Sequence, residues 1–302
     1  MSSLTNPPDA TAPADALTEV LDGLAHTVEN LDAVDDVAAQ LQDRVHGVLG
    51  RGTLRDALTG RWLGHAVHPV LTDLPIGFWT SAFTLDLIGG RRSRAAAQLL
   101  VGLGVLAAIP TAATGAADWS DTAGKETRVG LVHAALNTTA LACFSASWIA
   151  RRRGRHGRGV LYGIAGSAAA TGGGFFGGHL IQRFGVGVDH TTFDALPGDW
   201  TATDPASAWS DGSPRRVDAD GAPVVVIRDG DTWYGLEARC THAGGPLDEG
   251  EVLEGCVQCP WHGSRFRLRD GSVARGPAFA AEPVADVRVH DGVVEVRAAT
   301  TR

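Results

Sequence analysis

The spacing of apolar positions along this chain changes twice, and each change marks a different kind of structure. From Leu17 the residues Leu21, Leu24, Val28 and Leu31 follow at steps of four and three, and Val34, Val37, Leu41, Val45 and Val48 continue more loosely. That rhythm lines one face of a 3.6-residue helix and predicts an amphipathic helix or helix pair over residues 1–60. The strict heptad covers too few turns for a coiled coil, so the stripe is expected to pack on the rest of the chain.

Near His68 the alternation ends. Ala95–Ala117 carries no charge, and Val129–Ala150 and Gly159–Gln182 carry none beyond one histidine each. Each run is longer than the ~20 residues that cross a hydrocarbon core. A fourth run, about Pro69 to Gly90, is apolar but holds Asp73, Asp86 and two prolines; its length and flanking arginines still predict a span. The last run contains eight glycines, with pairs four apart at Gly159/Gly163, Gly173/Gly177 and Gly174/Gly178. Glycine at that spacing opposes a helix in water and admits close neighbours in lipid. The expected architecture over 61–184 is therefore an α-helical four-span membrane bundle in contact with lipid.

After Arg183 a polar stretch, 185–203, predicts a linker. Short period-two runs then appear in "PVVVIRDGDTWYGLEAR" and "VADVRVHDGVVEVRA", with hairpin signals at Asp229-Gly230 and Asp291-Gly292. Residues 204–302 are thus expected to form a small all-β domain. A length of 302 residues accommodates both units. The net charge of −8 is concentrated at the start, where residues 1–60 hold ten acidic side chains and three arginines, and gives no support to nucleic-acid binding. The N-terminus lacks a basic n-region and an apolar h-region, so no cleaved signal peptide is expected.

Three of the four cysteines, Cys240, Cys256 and Cys259, fall within twenty residues. Cys240 and His242 form a Cys-x-His pair and Cys259 and His262 a Cys-x-x-His pair, separated by the sixteen residues Ala243–Gln258. Two thiols and two imidazoles suit a metal better than a disulfide framework, and zinc would accept that set. The neighbours differ from a zinc knuckle: Gly244, Gly245 and Pro246 follow the first pair, Pro260 and Trp261 lie inside the second, and "GPA" follows at 276–278.

With that context, "CTHAGG…CPWHGSRF…DGSVARGPA" resembles a Rieske [2Fe-2S] domain over about Asp204 to Val296. The resemblance implies that Cys240 and Cys259 hold one iron and His242 and His262 the other, and that Ser264 donates a hydrogen bond to the cluster. Neutral imidazoles in place of two thiolates make such a cluster easier to reduce. Relatives of high potential carry a disulfide beside the cluster; Gly245 and Trp261 stand at those positions here, and Phe266 replaces a second hydroxyl donor. The resemblance therefore implies a low or intermediate potential. Rieske oxygenases share the motif but need a second, mononuclear iron site downstream. Forty residues follow His262, with His290 the sole histidine, so an oxygenase is not expected.

The stretches "GRWLGHAVHPVLTDLPIGFWT", "GAADW", "LVHAALN" and "GGHLIQRFGVGVD" are similar to a bacterial family of four-helix membrane domains of unknown function, over about Leu54 to Val188. The resemblance implies a bacterial cell membrane and assigns no activity. If the spans alternate in direction, His65, His68, His133 and His179 gather at the face that carries the β domain, with Asp73 one turn deeper. Such residues are structural, or ligate a b-type haem, or serve a quinone pocket in which Asp73 moves protons. Eight arginines within 91–94 and 151–158 oppose six basic residues on the other side, which puts the cluster outside. An unprotected cluster and no signal peptide argue for the cytoplasm. The two signals leave the side open. The expected function is membrane-bound transfer of single electrons between the cluster and a soluble partner or a haem or quinone site, its donor and acceptor unknown. The alternative is a tethered redox sensor or scaffold that signals through Cys256 or the N-terminal helix.

Overall fold

The computed structural model describes residues 13–300. The expected uncleaved start of the chain lies outside the described residues. Three short helices, α1 (Pro13–Glu29), α2 (Asp35–Leu49) and α3 (Thr53–Thr59), precede four long ones, α4 (Val67–Ile88), α5 (Arg94–Trp119), α6 (Lys125–Arg152) and α7 (His156–Phe184). The long helices form an up-and-down bundle in which α4 lies beside α5, α5 beside α6, α6 beside α7 and α7 beside α4. Two helical segments, Gly90–Trp119 and Lys125–Arg152, are long and apolar enough to cross a membrane. The bundle core is Trp79, Ala82, Ala97, Val101, Ala108, Ala140 and Phe144, with Trp79 and Phe144 stacked at 4.0 Å.

Small residues decide how closely these helices approach. A Cβ at Gly166 would sit 2.9 Å from Phe144 Cε2, and one at Gly173 would sit 2.7 Å from Asn137 Nδ2. Among the glycine pairs of α7, Gly159/Gly163 and Gly173/Gly177 face α6, whereas Gly174 and Gly178 have nothing within 4 Å. Gly166→Val is accordingly expected to cost about 1–3 kcal/mol through overpacking. Gly174→Ala is expected to stabilise by about 0.5–1 kcal/mol through helix propensity. Thermal unfolding in detergent checks both.

The prolines and acids that looked out of place in the first apolar run have different explanations. Pro75 cannot donate to Leu71 O, and the Thr111 hydroxyl of α5 lies 3.2 Å from that carbonyl. Asp86 is clamped by Arg151 of α6 with Nη1···Oδ1 at 2.8 Å and Nη2···Oδ2 at 2.5 Å, at the end of the bundle away from the β domain. Among the described residues Asp73 has no such partner, and it is exposed on the outer face of α4.

The amphipathic start packs differently from the expectation. On α1 the buried residues are Ala25 and Glu29, and the expected stripe turns inward only in part: Leu21 and Val28 are half-buried, while Leu17 is 61% and Leu24 53% exposed. The reason lies in Glu29, whose carboxylate ties α1 to the bundle through Lys125 at 3.1 Å and His179 at 2.9 Å.

Among the described residues the β domain holds ten strands in two antiparallel sheets. The larger has the order β1 (Thr201–Pro205), β10 (Val293–Ala298), β9 (Val284–His290), β4 (Thr232–Glu237), β3 (Ala222–Asp229), β2 (Arg215–Ala219). The smaller runs β5 (Glu251–Leu253), β6 (Cys256–Gln258), β7 (Arg265–Arg267), β8 (Val273–Arg275). The expected linker gives its last three residues to β1, which pairs with β10. The predicted hairpins form, β3–β4 turning at Gly230-Asp231 and β9–β10 at Asp291-Gly292. Between the sheets Val225, Ile227, Leu236, Leu247, Val257, Phe266 and Leu268 make a fully buried core that includes Cys240 and Cys259.

Candidate iron-sulfur centre

The four expected ligands sit in two loops at one end of the small sheet, one between β4 and β5 and the other between β6 and β7. The loops repeat one hydrogen-bond pattern. Cys240 N–H donates to Gly245 O and Gly244 N–H returns to Cys240 O, both at 2.8 Å. Cys259 N–H donates to Ser264 O at 2.8 Å and Gly263 N–H to Cys259 O at 3.1 Å. Closing each loop places Gly244 at φ +73° and Gly263 at φ +76°, a region that side chains with a Cβ rarely adopt. This local requirement is why the same Cys-to-Gly spacing of four appears in both motifs.

The loops bring like ligands together. The Cys240 thiol donates a hydrogen bond to Cys259 Sγ; that bond, aided by the N–H groups of Trp261 and His262, holds the Cys259 thiol down to about 7. The same bond, with burial, raises the Cys240 thiol. The His242 and His262 rings lie 5.0 Å apart in an edge-to-face arrangement. Burial lowers both imidazoles, His242 to about 4, so both are neutral near pH 7. Neutral imidazoles beside an easily ionised thiol are the protonation states a metal requires. His262 Nδ1 is buried with no hydrogen-bond partner among the described residues, an orphan that a metal would satisfy. The residues present thus fit a two-sulfur, two-nitrogen centre.

Ser264 is fully buried and its Oγ accepts from Ala278 N–H at 3.0 Å, which leaves its own proton available to donate. A Cβ at Gly245 would lie 2.8 Å from Cys259 Sγ and 3.1 Å from the Trp261 ring, so this position holds no room for a disulfide partner. Cys256 is buried on β6, its thiol directed at Glu254 O 3.8 Å away.

The membrane-side candidates are placed at the bundle end nearest this centre but are only partly assembled. His68 and His133 meet with ring centroids 6.3 Å apart. His68 Nδ1–H donates to Thr111 O at 2.9 Å and His133 Nδ1–H to Gly173 O at 2.7 Å, fixing both rings. His65 instead stacks on Phe279 of the β domain at 6.0 Å, His179 binds Glu29, and Asp73 points away.

Sequence reasoning missed the residues that meet the histidine edge of the centre. Asp121, in the turn between α5 and α6, places Oδ2 3.9 Å from His242 Nε2 and Oδ1 3.3 Å from His46 Nε2. Arg55 of α3 pairs with the same carboxylate. A cavity of about 210 Å³ between His46, Arg51, Arg55, Asp121, Trp261 and His262 borders it. On the other side of the first loop, the buried Glu282 accepts from Thr241 N–H at 2.7 Å, and burial pushes its carboxyl well above the usual range. A loop carboxylate such as Asp121 carries no periodic signal, and only its position beyond "GAADW" hinted at a role.

These features fit a two-cysteine, two-histidine metal centre in an all-β domain that rests on a helical bundle. A Rieske [2Fe-2S] domain matches residues 199–291, and the family "Predicted membrane protein (DUF2231)" matches 64–190. The ferredoxin CarAc of Metapseudomonas resinovorans is 37% identical over 98 residues, 32% of this chain and 92% of the relative. The anthranilate 1,2-dioxygenase ferredoxin subunit of Burkholderia cepacia is 30% identical over 103 residues, 34% of this chain and 95% of the relative. The solved ferredoxin of carbazole 1,9a-dioxygenase from Nocardioides aromaticivorans IC177 shares 30% identity over 34% of this chain and 100% of its own, with a TM-score of 0.32. The chain belongs to the Rieske [2Fe-2S] family, joined here to a DUF2231 domain. Its β domain serves [2Fe-2S] electron transfer.

Proposed function

We propose that this protein is a membrane-embedded electron carrier in which α4 to α7 all span the bilayer and the Rieske domain stands on the side where α4 begins. Cys240, Cys259, His242 and His262 hold the cluster, which when bound accepts and releases one electron at a time. Ser264 supplies a hydrogen bond to it, and the fully buried Phe266 and Leu247 keep water from the thiolate side. The ferredoxin character of its relatives supports a carrier passing electrons between separate proteins or cofactors. The outward leucines of α1 fit a helix lying in the membrane interface. His68, with Nδ1 committed to Thr111 O, and His133, with Nδ1 on Gly173 O and Nε2 3.3 Å from the Asn137 amide, are where a haem or quinone would be bound.

The pairing of Cys240 with Cys259 and of His242 with His262, the last with an orphaned Nδ1, carries this reading. Purified, anaerobically handled protein is expected to contain two irons and two sulfides per chain and to give a Rieske EPR signal when reduced. Zinc without sulfide would overturn the assignment. An optical haem band, or a change in the EPR signal on adding a quinone analogue, would support the bundle site; with neither, the bundle's redox role is lost and it acts as an anchor.

A further inference from the structure

The helical half meets the β domain at one surface of the centre. His242 keeps 17% of its side chain exposed, and the Asp121 carboxylate facing it keeps 3%. Asp121 is in turn held by Arg55, 7% exposed, and approached by His46. The contact continues around the edge: Gly276 N–H donates to Asp56 Oδ1 at 2.9 Å, Arg61 Nε to Val273 O at 3.3 Å, and Phe279 stacks on His65. Backbone groups of the β domain are therefore read by side chains of α3 and the loop after it, which fixes the docking register. The remaining opening beside His262 is the cavity of about 210 Å³, smaller than the ~300–1,000 Å³ of typical ligand pockets.

We propose that the helical half is the built-in docking partner of the cluster's histidine edge, with Asp121 the charge set 3.9 Å from His242 and Arg55 the residue that holds Asp121. This rests on the cluster assignment above and adds to it. At that distance the carboxylate acts on the ligating imidazole through its charge rather than through a hydrogen bond. That charge opposes an added electron, and the guanidinium behind it offsets that opposition. While docked, the edge is closed to a protein-sized soluble partner.

The two charges predict opposite effects on full-length, cluster-loaded protein. In Asp121→Asn the reduced state is expected to gain about tenfold in the reduction equilibrium, ~59 mV for one electron, and in Arg55→Gln to lose a similar factor. Arg55→Lys should recover part of that loss. A purely structural contact would shift both variants in the same direction or neither, and that outcome overturns the proposal. A second measurement uses the exchange Asp56→Lys with Arg61→Glu, which keeps their mutual pair but removes the bonds to Gly276 and Val273. A soluble dysprosium chelate should relax the cluster signal weakly in the native protein and several-fold more strongly in this variant. Strong relaxation of the native protein refutes a closed edge. Absence of any cluster signal refutes the iron-sulfur reading itself, whereas a normal signal with unmoved potentials refutes only the docking role.

Discussion

Cys259→Ser is expected to abolish the centre: purified protein should retain under about a tenth of the wild-type iron and sulfide and no reduced-state EPR signal. The Cys259 thiol already lies at about 7, because Cys240 donates to it and two backbone N–H groups point at it. A serine hydroxyl in the same cradle stays protonated and is a poor ligand, since metal binding requires the deprotonated donor. Cys256→Ser is the control. Its sulfur faces Glu254 O rather than the ligand loops, so iron content should be unchanged. If Cys256→Ser lost the cluster and Cys259→Ser kept it, the ligand assignment would be wrong.

The second large effect belongs to the far end of the bundle. Asp86→Ala leaves Arg151, whose side chain is 2% exposed, as a charge buried without its partner. Removing one member of a buried pair costs about 3–5 kcal/mol. For a chain of this size, that corresponds to a fall in Tm of roughly 10 °C. Replacing both, as Asp86→Ala with Arg151→Met, is expected to recover most of the loss, because the arginine then no longer needs compensation. Melting in detergent with the cluster signal followed in parallel checks this. The Rieske domain should keep its cluster in both variants.

The two halves of the chain differ in how much could be read before the structure. Ligand loops were legible because their chemistry is local: Cys240 and Gly244, like Cys259 and Gly263, sit within one turn, and the left-handed glycines are demanded by the same few residues that supply the ligands. The hairpin at Asp291-Gly292 was legible for that reason too. Asp220-Gly221 and Glu254-Gly255 turn two further hairpins with positive φ at both residues, a signal of the same kind that went unused. On α1 the leucine stripe was visible, but its direction was not. Which face turns inward depended on Glu29 finding Lys125 and His179, residues about a hundred or more positions away.

The histidines show the same division. Their shared end of the bundle followed from alternating helices, whereas their partners did not. His68 and His133 meet because Gly115 and Gly177 leave room against their rings, while His65 and His179 are drawn off by Phe279 and Glu29. By itself, the sequence determined the candidate ligand residues, the loops that carry them and the division into apolar helices and a β domain, since each depends on neighbours along the chain. Only the tertiary structure decided that Asp121 and Arg55 lie beside His242, because a charge from a turn, another from a helix and an imidazole more than a hundred residues onward become neighbours only through packing.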